Sequence, residues 1–317
     1  MYKGKKVALV IPAYNEQRLI KPTLENVPKM VDKVFVVNDC STDNMVGVVK
    51  GVMKKDKRVV LLNHSKNLGV GQAIITGYKK VVEDKYDIAV VIGGDHQMDL
   101  IDLPNFLEPL VKGEADYTKG NRFLYAKGVP NVMPARRVFG NSVLTLIAKW
   151  ASGYWKIFDT QDGYTAITRE AIERVDWSKA WKGYGYVGDW LVLFNVYSLR
   201  VKDVPRRAIY LKGERQSQIK IGRYILRVFP RMVKQFFWRL NIKYFIQNFH
   251  LLLILYYFSM ILLPLGIIFG VKIAIDGFTG HVSGNQSVLD ALILITGLQF
   301  LLFAIFFDME ENKKLQP

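Results

Sequence analysis

From Tyr244 to Val271 the chain runs for 28 residues without a formally charged side chain, and this run contains LLLILYYFSMILLPLGIIFGV. A helix of that length crosses a hydrocarbon layer roughly 30 Å thick, with some tilt. Nearly every position is apolar rather than one face, which argues against a helix packed on a soluble core. Pro264 is expected to kink it. A second uncharged run, Ala291 to Phe307, has 17 residues, the lower limit for a span. The pattern predicts a two-helix transmembrane segment at 244–309 and a polar tail at 310–317.

The charge is concentrated just ahead of these spans. The 317 residues carry 44 Lys or Arg against 28 Asp or Glu, a formal net charge of +16. Twelve basic and two acidic residues lie between Lys202 and Lys243, so that stretch alone supplies +10. Lys220, Arg223, Arg227, Arg231 and Lys234 recur at helical spacing, while Ile221, Ile225, Val228, Phe229, Met232, Phe236, Phe237 and Trp238 provide apolar surface. Residues 218–243 therefore read as basic amphipathic interfacial helices, broken at Pro230, lying on anionic membrane lipid. Lipid accounts for the stripe, and no nucleic acid is needed as a partner. The positive-inside rule places this segment and all that precedes it in the cytoplasm, and two spans return the C-terminus to the same side. Cys40 is the single cysteine, so no intramolecular disulfide forms, which suits a reducing compartment. Self-association in the membrane stays open, with no small-xxx-small pattern to carry it.

The first 200 or so residues alternate between two patterns. Short apolar runs at 7–13, 33–39, 59–64 and 88–94 read as strands, and amphipathic stretches at 17–30, 43–54, 70–83 and 102–112 read as helices. The first run follows lysines but is too short for a signal peptide and meets Pro12, so it is a buried strand. Together they describe an α/β domain with a mainly parallel sheet buried on both faces. Ligands of such sheets bind at the carboxyl ends of the strands. Polar residues collect there: Asn15 and Glu16, Asn38 and Asp39, Asn67, then Asp95 and Gln97. A nucleotide is the natural ligand, yet Ile74 stands where a dinucleotide fingerprint needs its third glycine after Gly69 and Gly71, and no Walker-type loop is present.

Six blocks in order carry a resemblance. IPAYNE (11–16), VNDCSTD (37–43), NLGVGQAIITG (67–77), the run from Asp95 to Phe123, MPARRVFGN (133–141) and DTQDGYTAI (159–167) are similar to the blocks of family 2 glycosyltransferases. More narrowly they resemble the dolichyl- and polyprenyl-phosphate sugar synthases. The resemblance covers about residues 5–217. It implies a Rossmann-like GT-A catalytic domain at 1–217, in the cytoplasm, ahead of the interfacial helices and the spans. The implied reaction is inverting transfer of a sugar from a nucleotide sugar, of the GDP-mannose, UDP-glucose or UDP-N-acetylglucosamine type, to dolichyl or polyprenyl phosphate.

Residue by residue, the resemblance gives Pro12, Tyr14, Glu16 and Asp39 to the nucleotide pocket. Asp95 and Gln97 become ligands of Mg²⁺ or Mn²⁺, the hard cation that offsets charge on a diphosphate leaving group. Relatives usually write that motif Asp-x-Asp-x-Gln, and Gly93 stands in the first position here. Asp99 belongs to the approach to the next helix, and His96 turns away from the ligands if the segment stays extended. Arg122, Arg136 and Arg137 match positions that approach acceptor phosphate, and Arg215, in a loop at 212–219, matches one that closes on the donor. A guanidinium suits both tasks because its planar fork binds phosphate oxygens in pairs. Asp189 is implied as an acceptor or sugar contact, and Asp159 and Asp162 as shapers of the sugar pocket. Two alternatives remain. One is a hydroxyl acceptor, with Asp189 as the base that such an acceptor needs. The other is a non-catalytic, nucleotide-sugar-binding relative that lost its metal site at Gly93.

Overall fold

The computed structural model describes residues 1–124, 135–207, 209, 221–278, 280 and 282–317. Two compact units divide it: Met1–Phe236 with Lys314–Pro317, and Phe237–Lys313.

The first unit is built on one sheet. β1 (Val7–Ala13), β2 (Lys33–Asn38), β3 (Val59–Asn63) and β4 (Ile88–Val91) follow the apolar runs and pair in parallel. β5 (Tyr117–Asn121), β6 (Thr165–Thr168) and β7 (Val201–Pro205) complete the order β3-β2-β1-β4-β6-β5-β7, in which β6 alone runs antiparallel to its neighbours. Every residue of β4 is buried, the continuous apolar pattern of a strand covered on both faces. Helices α1 (Ile20–Glu25), α2 (Met45–Lys55), α3 (Val70–Glu83) and α4 (Leu103–Val111) cross between the first five strands. α5 (Ala135–Ser152), α6 (Arg169–Arg174) and α7 (Tyr186–Val196) follow. Gly77 lets α3 settle on β1, since a Cβ there would lie 2.2 Å from Val10 Cγ1.

Two sequence expectations change in detail. β4 ends at Val91 rather than residue 94, because the chain turns at the glycine pair. α8 (Ile221–Asn241) runs through Pro230 as one helix. The hydrogen bond that proline forfeits belongs to the Leu226 carbonyl, one turn back, and Leu226 is 77% exposed, so the loss falls on the outer side of the helix.

The second unit contains α9 (Leu251–Phe278) and α10 (Gly284–Glu311), each long and apolar enough to cross a membrane. Only 11% of the most apolar window of α10 is buried within the structure, so the described residues leave most of its apolar surface uncovered. The first span starts later than the uncharged run: Ile242–Gln247 form a π-helical turn, and the helix extends on through Lys272 and Asp276. α9 also passes through Pro264 without ending.

Glycines set the distance between the two helices. A Cβ on Gly266 would come within 2.6 Å of Leu294, on Gly270 within 2.8 Å of Asp290 Oδ2, and on Gly297 within 3.1 Å of Leu262 and Leu263. Gly266 and Gly270 are thus a small-xxx-small pair used within the chain. A polar cluster joins the end of α8 to the end of α10. Both nitrogens of the Arg239 fork meet Asp308, at 2.7 and 2.9 Å, and both side chains are fully buried. Tyr244 and Asn312 also donate to Asp308 Oδ1, each at 2.9 Å, and Lys243 donates to Asn312 at 2.7 Å.

Breaking a buried pair on one side strands a charge. Arg239→Met is expected to cost about 3–5 kcal/mol in unfolding measured in detergent micelles, and Arg239→Met/Asp308→Leu to recover most of that loss.

Candidate active site

Loops from successive strand ends are stitched to one another at the carboxyl edge of the sheet. Asn15, after β1, accepts from the Thr42 N–H at 2.8 Å, and its own N–H reaches Ser41 Oγ at 3.0 Å. Gln17 N–H donates to Asp43 Oδ2 at 2.9 Å, while Asp43 Oδ1 caps Met45 N–H at 3.1 Å, so Asp43 fixes loop geometry. Asn38 donates to Asn63 Oδ1 and accepts from Ser41 N–H, both at 2.9 Å; a carboxylate could not do the first. Pro12 sits at the end of β1 half-buried, Glu16 is half-buried in the loop beyond, and Tyr14 is 47% exposed.

Asp39 is buried at the end of β2. It accepts from the Leu68 and Gly69 N–H groups, and its Oδ1 lies 2.8 Å from His64 Nδ1, all at 2.8 Å. A carboxylate offers about four lone-pair sites, so three partners leave room for one more donor, such as the edge of a nucleobase. His64 Nε2 meets Thr76 Oγ1 at 2.9 Å, which ties this pair to α3. The glycines of the 67–77 block serve close packing: a Cβ on Gly69 or Gly71 would lie 2.6 or 2.5 Å from the carbonyls of Lys182 and Trp181.

After β4 the chain turns through Gly93 and Gly94 to Asp95. His96 adopts a left-handed φ of 55°, so the segment is a turn rather than an extended strand. Gln97 N–H donates to Asp95 Oδ1 at 3.3 Å, and Gly93 N–H meets Met98 Sδ at 3.2 Å. A Cβ on Gly93 would stand 2.8 Å from Asp95 Oδ1, so the carboxylate folds back over that glycine. Burial pushes the Asp95 carboxyl above its ordinary value, against the Gln97 N–H and the charge of Arg206, which pull it down. A desolvated carboxylate beside an amide oxygen donor fits a hard divalent cation, with diphosphate oxygens and water supplying the remaining ligands. Among the described residues no cluster of three or more His, Cys, Asp or Glu forms a metal site without such help. Asp99 caps the turn at Leu100–Asp102 through Ile101 N–H at 2.9 Å, as expected for the approach to α4.

A buried charge network lies at the ends of β5 and β7. Arg122 grips Asp159 with Nε at 2.7 Å and Nη2 at 2.6 Å, so this edge of its guanidinium is committed within the protein rather than presented to an acceptor. Arg206 Nε meets Asp162 Oδ2 at 2.5 Å, and Lys119 Nζ lies 3.0 Å from Asp203 Oδ1. Burial acts to raise the Asp162 carboxyl, but the charges of Arg206, Arg122 and Lys119 outweigh it and hold it below the ordinary value. Asp203, where burial wins over Lys119, is pushed up. Local pattern gives no sign of Lys119, Asp203 or Arg206 as site residues; the only hint is a basic pair, Arg206-Arg207, directly after a strand. Arg136 and Arg137 lie in the first turn of α5, with side chains outside the described residues. Arg215, with the loop at 212–219, lies outside them too, as do Lys220 and the side chain of Arg223.

Asp189 stands in the first turn of α7, almost fully buried. Its carboxylate accepts from Trp181 N–H at 2.9 Å, from Arg231 Nε and Nη2 at 2.6 and 3.1 Å, and from Gln235 Nε2 at 3.0 Å. Arg231 also lies over the Trp181 ring, 4.7 Å from its centroid. The basic face of α8 is therefore divided: Arg227 and Lys234 are exposed, while Arg231 is turned inward onto Asp189.

Comparison with known proteins agrees with this arrangement. Residues 8–176 match the family described as Glycosyl transferase family 2. The chain is 29% identical over 244 residues to the UDP-N-acetylglucosamine–dolichyl-phosphate N-acetylglucosaminyltransferase of Methanococcus voltae, covering 72% of this chain and 95% of that one. It is 27% identical over 214 residues to the polyprenol monophosphomannose synthase of Mycolicibacterium smegmatis, covering 63% and 76%. Among solved structures it resembles glucosyl-3-phosphoglycerate synthase from Mycobacterium tuberculosis in complex with Mn²⁺, UDP and glucosyl-3-phosphoglycerate, with TM-score 0.51, 16% identity and coverage of 74% and 80%. That likeness shows the GT-A fold.

Only the carboxylate form of Asp95 could hold a metal, and burial raises its pKa. Mn²⁺ affinity, measured by calorimetry with UDP or GDP present, is expected to fall about tenfold per pH unit below that raised value. The decline should begin at higher pH than for an ordinary aspartate; an acid limb in the ordinary carboxylate range would remove the burial argument.

Proposed function

The chain belongs to glycosyltransferase family 2, and from that premise we propose that it transfers a sugar from a nucleotide sugar to polyprenyl phosphate. The observation that carries this reading is the state of Asp189. A hydroxyl acceptor must lose a proton as it attacks, whereas a lipid phosphate is already anionic and needs only alignment. Asp189, the matching acid, is saturated by four donated hydrogen bonds, two of them from a guanidinium. All of its lone-pair sites are then taken, which leaves none to receive a proton from an acceptor and makes it an anchor for α8.

The chemistry is a single displacement. A phosphate oxygen of the acceptor forms a bond to the anomeric carbon, the bond from that carbon to the diphosphate breaks, and the anomer inverts. Asp95 and Gln97 would hold a Mg²⁺ or Mn²⁺ ion, which offsets the charge developing on the leaving nucleoside diphosphate. Asp39, with one lone pair left, takes the base or ribose, and Pro12, Tyr14 and Glu16 line the pocket beside it. Arg136 and Arg137 receive the acceptor phosphate and Arg215 the donor diphosphate. Arg122, paired with Asp159, lends its charge to the same region. The first donor to try is UDP-N-acetylglucosamine, because the Methanococcus voltae relative that bears that name matches over 95% of its length.

The acceptor is a membrane lipid, and the chain has surfaces suited to one. α8 exposes Leu226 and Phe229 beside Arg227 and Lys234, and α5 exposes Phe139 and Leu146 seven residues apart, a second apolar face. In this reading the first unit and both termini are cytoplasmic, and α9 and α10 cross the bilayer.

Incubation of purified protein with polyprenyl phosphate, Mg²⁺ or Mn²⁺ and a panel of labelled UDP- and GDP-sugars tests the proposal. Chelator-sensitive transfer of one sugar into organic-extractable product is the expected result. Transfer only to hydroxyl acceptors, or nucleotide binding without transfer, would reject it. In the same assay Asp189→Asn should lower kcat by no more than about tenfold, against the roughly 100- to 10,000-fold loss expected on removal of a general base.

A further inference from the structure

We propose that Arg206 is the positioning residue of the metal-binding turn, holding its Gln97 end in the register that a divalent cation needs. The inference rests on the assignment of Asp95 and Gln97 as metal ligands.

Arg206 follows β7 and is only 5% exposed. Its guanidinium faces two ways. Nε is fixed on Asp162 at 2.5 Å, and Nη1 donates to the Gln97 carbonyl and the Arg207 carbonyl, each at 3.0 Å. Asp162 is itself immobilised: it is fully buried, accepts from Tyr164 N–H at 2.9 Å and lies 3.5 Å from Arg122 Nε. Gly120 on β5 makes room for the pair, since a Cβ there would lie 3.0 Å from Arg206 Cγ and 3.1 Å from Asp162 Oδ1.

The chain after β7 adds two more ties to the same turn. Ile209 N–H reaches the Gln97 carbonyl at 3.2 Å, and Arg207 N–H reaches Asp102 Oδ2 at 2.6 Å. Residues 97–102 are therefore held at both ends by a segment more than 100 positions away in sequence. Gly93 supplies no ligand, so the motif offers two protein oxygens on a turn with a left-handed His96. With few ligands, the backbone support of each one decides how well the set converges.

The test uses the full-length protein in detergent. Arg206→Gln removes the clamp but leaves Asp162 buried without its main partner, and so threatens the fold. Arg206→Gln/Asp162→Asn removes both charges and separates stability from positioning. Mn²⁺ affinity is measured by calorimetry with UDP and, in parallel, GDP; hydrogen exchange of the 97–102 amides is followed without metal. Mn²⁺ binding is expected to weaken about 10- to 100-fold in both variants, the usual effect of removing a group that supports a ligand. The double variant should recover thermal stability without recovering affinity, and the 97–102 amides should exchange faster in both. Recovery of wild-type Mn²⁺ affinity by the double variant, or unchanged exchange in that turn, would overturn the inference alone. Absence of Mn²⁺ binding by the unaltered protein would overturn the metal assignment and this inference with it.

Discussion

A carboxylate taken out of water must be given back its hydrogen bonds, and much of this protein is arranged around that requirement. Asp39 has two backbone N–H groups and His64; Asp159 has the fork of Arg122; Asp162 has Arg206; Asp189 has Arg231, Gln235 and a backbone N–H. In the second unit Asp308 has Arg239, Tyr244 and Asn312. Apart from Asn312 on Asp308 and the Trp181 N–H on Asp189, these pairings join segments 25 or more positions apart, so the groups that cost most to bury also fix how loops and helices meet. Asp95 is the contrast. Its contact with Gln97 N–H is long, at 3.3 Å, and burial raises its carboxyl by more than that N–H and the charge of Arg206 lower it. A half-compensated carboxylate of this kind is what the proposed metal role of Asp95 calls for.

The same requirement bears on the membrane. A buried Arg239–Asp308 pair near the end of α10 is expensive to form and more expensive to break, so losing one partner costs more than the pair adds to stability. The glycine contacts of α9 and α10 act with it. Lipid gives two apolar helices no hydrophobic reason to associate, and close backbone approach at Gly266, Gly270 and Gly297 provides van der Waals contact instead.

β1 to β4 are legible in the sequence because they are short apolar runs between amphipathic stretches, and α3 falls on 70–83 as the spacing indicates; β5 and β7 carry Lys119 and Asp203 within the strand and break that pattern. That Asp39 and Asp95 stand together at one edge of the sheet is legible because both follow parallel strands, whose carboxyl ends face the same way. What local pattern cannot carry is pairing across the chain. The partner of Gln97 is 109 positions away and that of Asp189 is 42 away; Arg231 reads from its spacing as one of a basic stripe facing lipid, and nothing in that spacing points it at Asp189. Arg122 and Asp189 carry charges that suit phosphate and base chemistry, yet each is occupied by a neighbour that sequence spacing does not reveal. Pro230 reads as a helix break because the rule concerns the lost hydrogen bond and is silent on which side of the helix the loss falls.

Gly93 shows why a departure from a motif need not be a defect. Taken alone, its missing carboxylate weakens a cation site. In place, the glycine supplies the space into which the Asp95 carboxylate folds, because any Cβ at 93 would stand 2.8 Å from Asp95 Oδ1. An acid at this position would therefore have to displace Asp95 before it could assist it. The backbone around the turn is correspondingly well held: Met98 Sδ accepts Gly93 N–H, and Gln97 O receives both Arg206 and Ile209 N–H. With one carboxylate rather than two, the turn carries less repulsion between like charges, and in the proposed reading its affinity for a cation would depend more on the diphosphate that arrives with the donor. In that reading the metal and the nucleotide sugar would each complete the other's binding.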